Sequence, residues 1–335
     1  MTRGLTGFGN IRGAGGKIAS EFFWSGREHQ PLSASVGRLQ GAAENDRPGK
    51  VSEAGIFPNP HRAAGKSKED MAAQAKGKPH RDYNSLFSAR AYLERYYEPL
   101  HVGDNGVEEV AMFNMQCLHE AYIKGPVSGT RMLDVGCGPI IYQLLFACDS
   151  ISEITMADFT PANRREVELW RADDPSAYNW DSYIRYACHL QGTQGQEKAR
   201  AERLRRAIKH VLPCDVLQSN IVHPEQPAPF DVVQSSFCLE CACDTELSFR
   251  AALRNVAALL VSGGWFLLIG ALGQTVYCVA EQSFAALPLS EDAVRAAVHA
   301  AGLQVHTFRV LPRPQSLEDD LSDLSGFFFL LAKKG

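Results

Sequence analysis

The chain has 335 residues, of which 45% are hydrophobic and 21% are charged, a composition typical of a globular protein with a large core. Residues 1–80 contain 12 Lys and Arg and 7 Asp and Glu, whereas residues 81–335 contain 22 and 31. This acidic second part argues against a nucleic-acid partner, because phosphate binding needs a basic surface, and it suits a cationic small molecule such as an amine. No stretch approaches 18 consecutive apolar residues, which argues against a membrane span.

Residues 1–80 are rich in Gly, Ala, Ser and Pro and show no sustained period. We predict a disordered or low-complexity extension there, with a transit peptide as the alternative, and one folded domain over residues 81–335. The nine cysteines are odd in number, most lie in apolar runs, and the first residues do not resemble a signal peptide. These features predict reduced thiols and a cytoplasmic protein.

Helical patterns open the folded part, at 89–97 and at 107–122. Apolar strands and helices then alternate, which is typical of an α/β fold with a largely parallel sheet. The predicted strands are 131–135, 153–159, 210–214, 230–235, 264–270, 304–311 and 327–332. The predicted helices among them are 140–148, 161–173, 197–210, 246–260 and 290–301. A polar loop separates the last two strands, which favours an antiparallel return of the final strand.

The most informative segment, RMLDVGCGP, is a short apolar strand that runs into a turn at Gly136 and Gly138. A strand, a glycine turn and a helix form a frame for a nucleotide-like ligand, because a residue without a Cβ lets the ligand approach the backbone. Tyr142 follows instead of the third glycine of a dinucleotide fingerprint, which argues against a pyrophosphate. The pattern favours a smaller, net-positive ligand such as S-adenosylmethionine, with its amino-acid end near Asp134. A plain turn between strand and helix is the alternative.

Acidic residues follow the next two apolar strands. Asp158 ends the second strand, where a carboxylate can accept both hydroxyls of a ribose, and Phe159 beside it can flank an adenine. The alternative for Asp158 is an N-cap, although Thr160 is better placed for that role. Asp215 can accept the amino protons of an adenine or be an exposed loop carboxylate.

The segment FCLE follows the fourth strand and brings Phe237 and Glu240 to the same edge of the sheet. A carboxylate beside aromatic groups would bind an ammonium and help to remove its proton, whereas the alternative is an acid at a helix N-terminus. Three cysteines, Cys238, Cys241 and Cys243, lack a second pair of ligands at matching spacing. We therefore interpret them as packed thiols and expect no metal.

Four tyrosines precede the sheet: Tyr83, Tyr92, Tyr96 and Tyr97. They suit a lid whose phenols close over a cofactor and exclude water, and the alternative is a helix that only packs on the core.

From about residue 83 onward the sequence resembles the small-molecule amine N-methyltransferases that act on phenylethanolamine, nicotinamide and indolethylamine. The resemblance is carried by LDVGCGPIIYQLL, EITMADFTPANRREVELW, VLPCDV, FCLE and LLIGAL. It implies a Rossmann-like seven-stranded methyltransferase sheet with an antiparallel last strand and an N-terminal helical lid. It also implies S-adenosylmethionine as the methyl donor, held by Tyr83, Tyr92, Tyr97, Gly136, Cys137, Gly138, Tyr142, Asp158, Phe159, Asn163, Asp215, Val216 and Ser236.

Within that family, FCLE, ITMADF and LLIGAL are most similar to the phenylethanolamine enzymes. The resemblance implies Glu240 as the catalytic acid that engages the amine. The implied substrate-binding residues are Phe237, Glu240, Gln274, Tyr277, Tyr96 and Asp323. Gln274 and Tyr96 depart from the phenylethanolamine pattern, and Gly270 replaces the substrate aspartate of the nicotinamide enzymes. Other segments, MFNMQCLHE and ECAC, favour the indolethylamine enzymes.

These observations predict transfer of a methyl group from S-adenosylmethionine to the nitrogen of a small arylethylamine, as in catecholamine biosynthesis, by in-line displacement without a metal. The alternatives are indolethylamine or nicotinamide N-methylation and a cofactor-binding protein without catalysis. We expect a small-molecule amine as partner and neither nucleic acid nor membrane. The sequence does not determine the oligomeric state, for which we favour a monomer.

Overall fold

The computed structural model describes residues 83–100, 106–225, 227–315, 317 and 322–335. The extension predicted over residues 1–80 lies outside them. Within these residues, no helix is both long and apolar enough to cross a membrane.

Three helices precede the sheet: α1 (Tyr83–Leu86), α2 (Ala89–Tyr96) and α3 (Gly106–His119). Ser88 begins α2 as its N-cap, because its hydroxyl accepts the backbone N–H of Ala91. A π-helical turn at Glu120–Lys124 continues α3 towards the first strand.

The strands are β1 (Arg131–Val135), β2 (Glu153–Asp158), β3 (Ile208–Pro213), β4 (Phe230–Ser236), β5 (Leu260–Leu272), β6 (Val276–Val279), β7 (Gln282–Ala285), β8 (Leu303–Pro312) and β9 (Gly326–Lys334). Seven of them form one sheet in the order β3-β2-β1-β4-β5-β9-β8, and β6 and β7 form a separate hairpin. Strands β1 to β5 are paired in parallel, whereas β9 runs antiparallel to both of its neighbours. The predicted seven-stranded sheet with an antiparallel last strand is confirmed.

The helices that connect the strands are α4 (Pro161–Arg171), α5 (Asp181–Gln191), α6 (Glu197–Ala207), α7 (Leu239–Ala242), α8 (Glu246–Ala258) and α9 (Glu291–Ala300). Because side chains of a strand alternate between faces, β1 contributes to two cores. Met132 packs with the helices on one face, α3 to α6, and Leu133 packs with α8 and α9 on the other. The sheet is therefore the middle of three layers.

Two local predictions were wrong, and two elements were missed. The segment predicted as a helix over 140–148 forms two 3₁₀ turns, Tyr142–Leu144 and Ala147–Asp149. The whole of this segment is buried, so it lacks the polar face of an amphipathic helix and tertiary packing sets its shape. Helix α5 and the hairpin of β6 and β7 were not predicted. The helix predicted over 197–210 ends at Ala207, because Ile208 already pairs with β2.

Candidate active site

A cavity of about 410 Å³ lies at the carboxyl ends of β1, β2 and β4, and residues of α1 and α2 line one side of it. This edge is where sheets of this kind bind ligands. The cavity is lined by all the residues that were predicted to hold the cofactor: Tyr83, Tyr92, Tyr97, Gly136, Cys137, Gly138, Tyr142, Asp158, Phe159, Asn163, Asp215, Val216 and Ser236. Of the residues predicted to bind a substrate, Phe237, Gln274, Tyr277 and Tyr96 line it. Glu240 and Asp323 are not among its lining residues.

The turn after β1 requires a glycine at its first position. Gly136 has a φ of +63°, in the left-handed region that favours glycine. A Cβ at this position would lie 2.1 Å from Sγ of Cys238, so a side chain has no room. The turn can therefore approach the start of α7 closely and leave its backbone open to the cavity.

Both carboxylate oxygens of Asp158 are held in place at the tip of β2. Oδ2 accepts the N–H of Gly138 at 2.8 Å, and Oδ1 accepts the N–H of Thr160 at 2.8 Å and the side-chain amide of Asn163 at 3.0 Å. Burial raises the pKa of Asp158, and these hydrogen bonds, which favour the charged form, oppose the rise. A carboxylate has about four acceptor positions, so Asp158 can accept further donors from a ligand.

Three buried polar atoms of cavity-lining residues have no hydrogen-bond partner among the described residues: Oδ1 of Asn114, Oδ1 of Asn163 and Oγ of Ser236. Buried polar groups are nearly always paired in folded proteins, because an unpaired one costs about 1–3 kcal/mol. The placement of these atoms in one cavity indicates a polar ligand. A sequence cannot reveal such an orphaned atom, and Asn114 was missed because it lies in the helix before the sheet.

Asp134 lies below the glycine turn rather than in the cavity wall. Its Oδ2 accepts the side-chain amide of Gln143 at 2.8 Å, and the same amide nitrogen lies 3.2 Å from the carbonyl oxygen of Ile140 and 3.4 Å from that of Cys137. Burial raises the pKa of Asp134 to about 7. Asp134 thus supports the turn from below through Gln143, and the expectation that the amino-acid end of the ligand lies near Asp134 stays a prediction.

The tyrosines of the first two helices form an aromatic cover. Rings of Tyr92 and Tyr97 lie 5.6 Å apart, and Tyr97 lies 5.6 Å from Tyr142 at the glycine turn. The hydroxyl of Tyr83 is hydrogen-bonded to that of Tyr277 at β6, and Tyr96 donates to the carbonyl oxygen of Cys278 at 2.8 Å. The cover is thus attached both to the turn and to the hairpin of β6 and β7.

The end of the cavity beside β5 and β6 is aromatic and carries neutral polar groups. Phe237 has a φ of +52°, an uncommon conformation for a residue with a side chain, and its ring packs edge-on against Phe327 at 6.1 Å. Gln274 donates from its side-chain amide to Oγ of Ser322 at 2.7 Å. Burial raises the pKa of the Tyr277 hydroxyl, which therefore stays neutral at physiological pH.

Glu240 lies directly behind this wall. Its Oε1 accepts the backbone N–H of Ala271, a lining residue, at 2.9 Å, and the side chain is only 1% exposed. Burial raises its pKa to about 7, partly opposed by that hydrogen bond. A Cβ at Gly270 would lie 2.8 Å from Oε1, so this glycine makes room for the carboxylate. Burial is the main cause of the raised pKa of Tyr92, which lines the cavity, and the charge of Glu240 adds a small contribution.

A comparison with known protein families matches residues 77–335 to the NNMT/PNMT/TEMT family. This chain belongs to that family. Indolethylamine N-methyltransferase of Oryctolagus cuniculus is 38% identical over 253 residues, which cover 76% of this chain and 95% of the relative. Phenylethanolamine N-methyltransferase of Macaca mulatta is 37% identical, covering 74% and 89%. Nicotinamide N-methyltransferase of Homo sapiens is 37% identical, covering 75% and 94%.

Family membership makes the chain an S-adenosylmethionine-dependent N-methyltransferase, as the sequence predicted. The near-equal identities to three enzymes with different substrates do not distinguish among those substrates. The cavity suits the methyl donor of the family. It offers the backbone of the turn at Gly136, the fixed carboxylate of Asp158, and the unpaired side-chain oxygens of Asn163 and Ser236.

Asp215 and Asp323, two acids expected in the site, differ in their relation to the cavity. Asp215 follows β3, lines the cavity and accepts the N–H of Leu217 at 3.0 Å. Asp323 was expected to contact the substrate, but its carboxylate faces the turn between β5 and β6. The loop between β8 and β9 has no recognisable pattern, so its register in the site could not be read from the sequence.

The cysteines of the described residues are all free, and Cys137, Cys214, Cys238 and Cys241 line the cavity. Burial raises the pKa of each of these four thiols. They are therefore protonated and pack as small apolar groups. No group of three or more His, Cys, Asp or Glu side chains among the described residues is arranged to hold a metal ion.

Proposed function

We propose that this chain methylates the nitrogen of a small arylethylamine, with S-adenosylmethionine as the donor. The observation that carries the proposal is a single cavity with two chemically different ends. Asp158 and the glycine turn form a polar end that suits a nucleoside, and Phe237 and Tyr277 form an aromatic end that suits an aryl ring. When the aryl ring of the substrate occupies the aromatic end, the amine nitrogen on its side chain lies between the aromatic end and the polar end.

S-adenosylmethionine supplies a methyl group on a positively charged sulfur. The residues of this chain hold, orient and shield the reactants. Asp158 accepts ribose hydroxyls, and Asn163 and Ser236 offer their unpaired oxygens. The tyrosines of α1 and α2 exclude water, which strengthens every electrostatic interaction inside the cavity. Holding the two reactants in line accounts for most of the acceleration.

Glu240 gives the aromatic end its preference for an amine. The carboxylate lies behind Ala271, and its negative charge acts on cavity groups such as Tyr92. A nearby buried carboxylate attracts an ammonium more strongly than it would in water. Because burial raises the pKa of Glu240 to about 7, its carboxylate can take up, through an intervening water, the proton that the amine must lose.

A second candidate is methylation of a ring nitrogen, as in nicotinamide. One observation favours it: the described residues that line the aromatic end carry neither carboxylate nor basic group, and Glu240 is set back from the wall. A ring nitrogen carries no proton and needs no base. The position of Glu240 argues against this second candidate. Its carboxylate fills the space beside Gly270, and a neutral heterocycle in the cavity would leave that buried charge without a partner.

The test is labelled methyl transfer to phenylethanolamine, octopamine, noradrenaline, tryptamine and nicotinamide, with the wild type and Glu240→Gln. We expect transfer to the arylethylamines, a strong loss of that transfer in Glu240→Gln, and unchanged affinity for S-adenosylhomocysteine. Gln keeps the acceptor for Ala271 and removes the charge. Transfer to nicotinamide alone, undiminished in Glu240→Gln, would replace the first candidate by the second. Binding of S-adenosylhomocysteine without transfer to any compound in the panel would contradict both.

A further inference from the structure

The carboxylate of Asp323 receives three hydrogen bonds from the turn between β5 and β6. Oδ1 accepts the backbone N–H of Thr275 at 2.8 Å and that of Val276 at 3.1 Å. Oδ2 accepts the hydroxyl of Thr275 at 2.5 Å. All three donors belong to two consecutive residues, so the carboxylate holds this turn in one conformation.

The turn that Asp323 holds carries two residues of the substrate end. Gln274 comes directly before Thr275, and Tyr277 comes directly after Val276, and both line the cavity. The residue before Asp323 adds to the attachment. Oγ of Ser322 accepts the side-chain amide of Gln274 at 2.7 Å, and Ser322 forms an isolated β-bridge with Tyr277.

The described residues on both sides of Asp323 are held by Arg313, which directly follows β8. Its guanidinium donates to the carbonyl oxygen of Ser322 at 2.7 Å, and to those of Leu324 and Leu317 at 3.3 Å. Arg313 therefore holds the residues on both sides of Asp323, and Asp323 in turn holds the turn between β5 and β6.

The same turn sets the position of the aromatic cover. The hydroxyl of Tyr277 is hydrogen-bonded to that of Tyr83 in α1, and the rings of Tyr277 and Phe284 stack at 5.5 Å. A shift of the turn would therefore move a wall of the substrate end and the place where the cover is attached.

We infer that Asp323 is a positioning residue, which sets substrate affinity by fixing Gln274 and Tyr277 and makes no contact with the substrate itself. The inference rests on the proposed function only for the identity of the amine. It predicts that every amine loses affinity when Asp323 changes, whether or not the amine carries a hydroxyl group, because the defect lies in the wall. A direct contact to a hydroxyl would affect only hydroxylated amines.

The test compares Asp323→Asn and Thr275→Val with the control Glu281→Gln in the full chain. Glu281 is an exposed acid at the tip of the same hairpin, so its change removes a charge near the site without loosening the turn. Hydrogen exchange of the peptide covering 272–279 is measured with S-adenosylhomocysteine bound. We expect this peptide to exchange faster in both Asp323→Asn and Thr275→Val than in the wild type, and at the wild-type rate in the control Glu281→Gln. Unchanged exchange would overturn the inference whatever the substrate is.

Steady-state kinetics complete the test. In Asp323→Asn we expect KM for phenylethanolamine and for tryptamine to rise by about tenfold or more, because all three hydrogen bonds to this side chain lose their charge assistance. The affinity for S-adenosylhomocysteine should change less than about twofold, because the turn lies away from the nucleoside end. Thr275→Val, which leaves the carboxylate intact, should raise both KM values in part. A rise confined to hydroxylated amines, with Thr275→Val silent, would overturn the inference in favour of direct contact. Faster exchange without turnover of any amine would contradict the proposed function and leave the turn's attachment supported.

Discussion

The backbone N–H of Gly138 donates a hydrogen bond to Oδ2 of Asp158 at 2.8 Å, which joins the turn after β1 to the tip of β2. The two elements, which were predicted separately from the sequence, are therefore connected. Because of this hydrogen bond, a substitution of Asp158 should also disturb the backbone of the glycine turn, against which the methionine part of the cofactor is expected to lie.

Replacing Asp158 with Ala should weaken the binding of S-adenosylhomocysteine by about 100-fold, because hydrogen bonds to a charged group contribute about 1.5–3 kcal/mol each. The change also leaves the N–H of Gly138 and that of Thr160 without their acceptor. Titration calorimetry measures the affinity. Glu202→Gln, a change of a partly exposed acid on α6 that pairs with Arg206, is the control and should bind normally. Equal affinity of Asp158→Ala and the wild type would show that this carboxylate does not hold the ligand.

A side chain at Gly136 should abolish cofactor binding, whereas one at Gly192 should not. Both glycines have positive φ, +63° and +69°, so Gly→Ala costs about 1 kcal/mol or somewhat more at either position. A Cβ at Gly192 meets nothing within 4 Å, but one at Gly136 would meet Sγ and Cβ of Cys238 at 2.1 and 2.4 Å. Thermal unfolding and calorimetry of both variants separate backbone strain from the clash.

A second substitution makes this comparison sharper. Cys238→Gly removes the two atoms that a Cβ at Gly136 would meet, and the Cα of Cys238 is 3.8 Å from that point. Gly136→Ala combined with Cys238→Gly should therefore bind S-adenosylhomocysteine better than Gly136→Ala alone. If the pair bound no better than the single variant, the steric explanation would be incorrect.

Glu240→Gln should stabilise the protein at alkaline pH and have little effect at acidic pH. The pKa of Glu240 is raised from 4.5 to about 7 in the folded protein. Between these values the native state keeps the proton that the unfolded state has lost, so the stability of the wild type falls as pH rises and the loss is complete above about 7. Gln has no proton to lose. The gain in the free energy of unfolding should reach about 3 kcal/mol at pH 8, because one pKa unit corresponds to about 1.4 kcal/mol.

Urea denaturation of both proteins at pH 4.5 and at pH 8 checks this sign. Asp134, whose pKa is also raised to about 7 by burial, titrates over the same range but is common to both proteins and cancels in the difference. A difference in stability that stays constant between the two pH values would mean that Glu240 is not buried as a carboxyl group with a raised pKa.

The hydroxyl contact between Tyr83 and Tyr277 should couple the cover to the hairpin. Tyr83→Phe and Tyr277→Phe each remove one hydroxyl, and the double variant should cost less than the sum of the two, with a coupling free energy of about 1 kcal/mol. The affinity for S-adenosylhomocysteine is the readout, because the cover closes over its cavity. Tyr186→Phe, which removes a partly exposed hydroxyl bonded to Gln116, is the control. Strict additivity would argue that the two hydroxyls do not act together.

The sheet and the cofactor end were predictable because their signals are local. The turn of Gly136 and Gly138 and the acid of Asp158 each follow directly after an apolar strand, and parallel strands bring such ends together. The substrate end was less predictable, because its residues come from separate loops. Glu240 was placed at the correct edge, yet one hydrogen bond to Ala271 holds it behind the wall, which no sequence pattern indicates.

Helix α5 and the hairpin of β6 and β7 were missed for physical reasons. Helix α5 begins at Asp181 without a side-chain cap, and the hairpin is short, with a residue of positive φ, Ala280, at its turn where glycine is usual. For the segment over 140–148 a helix was predicted that does not form. Its apolar run suggested a helix, but a completely buried segment can also pack as the two 3₁₀ turns that are observed.

The place of β9 between β5 and β8 has a consequence for the order of folding. Strand β8 precedes β9 in the chain but pairs in the sheet with β9 alone, so it cannot join the sheet before β9 does. Until then β5 presents an unpaired, largely apolar edge, which is a template for association with other chains. The refolding yield should therefore fall as the protein concentration rises, because chains with an unpaired β5 associate with one another, even though the finished sheet is stable.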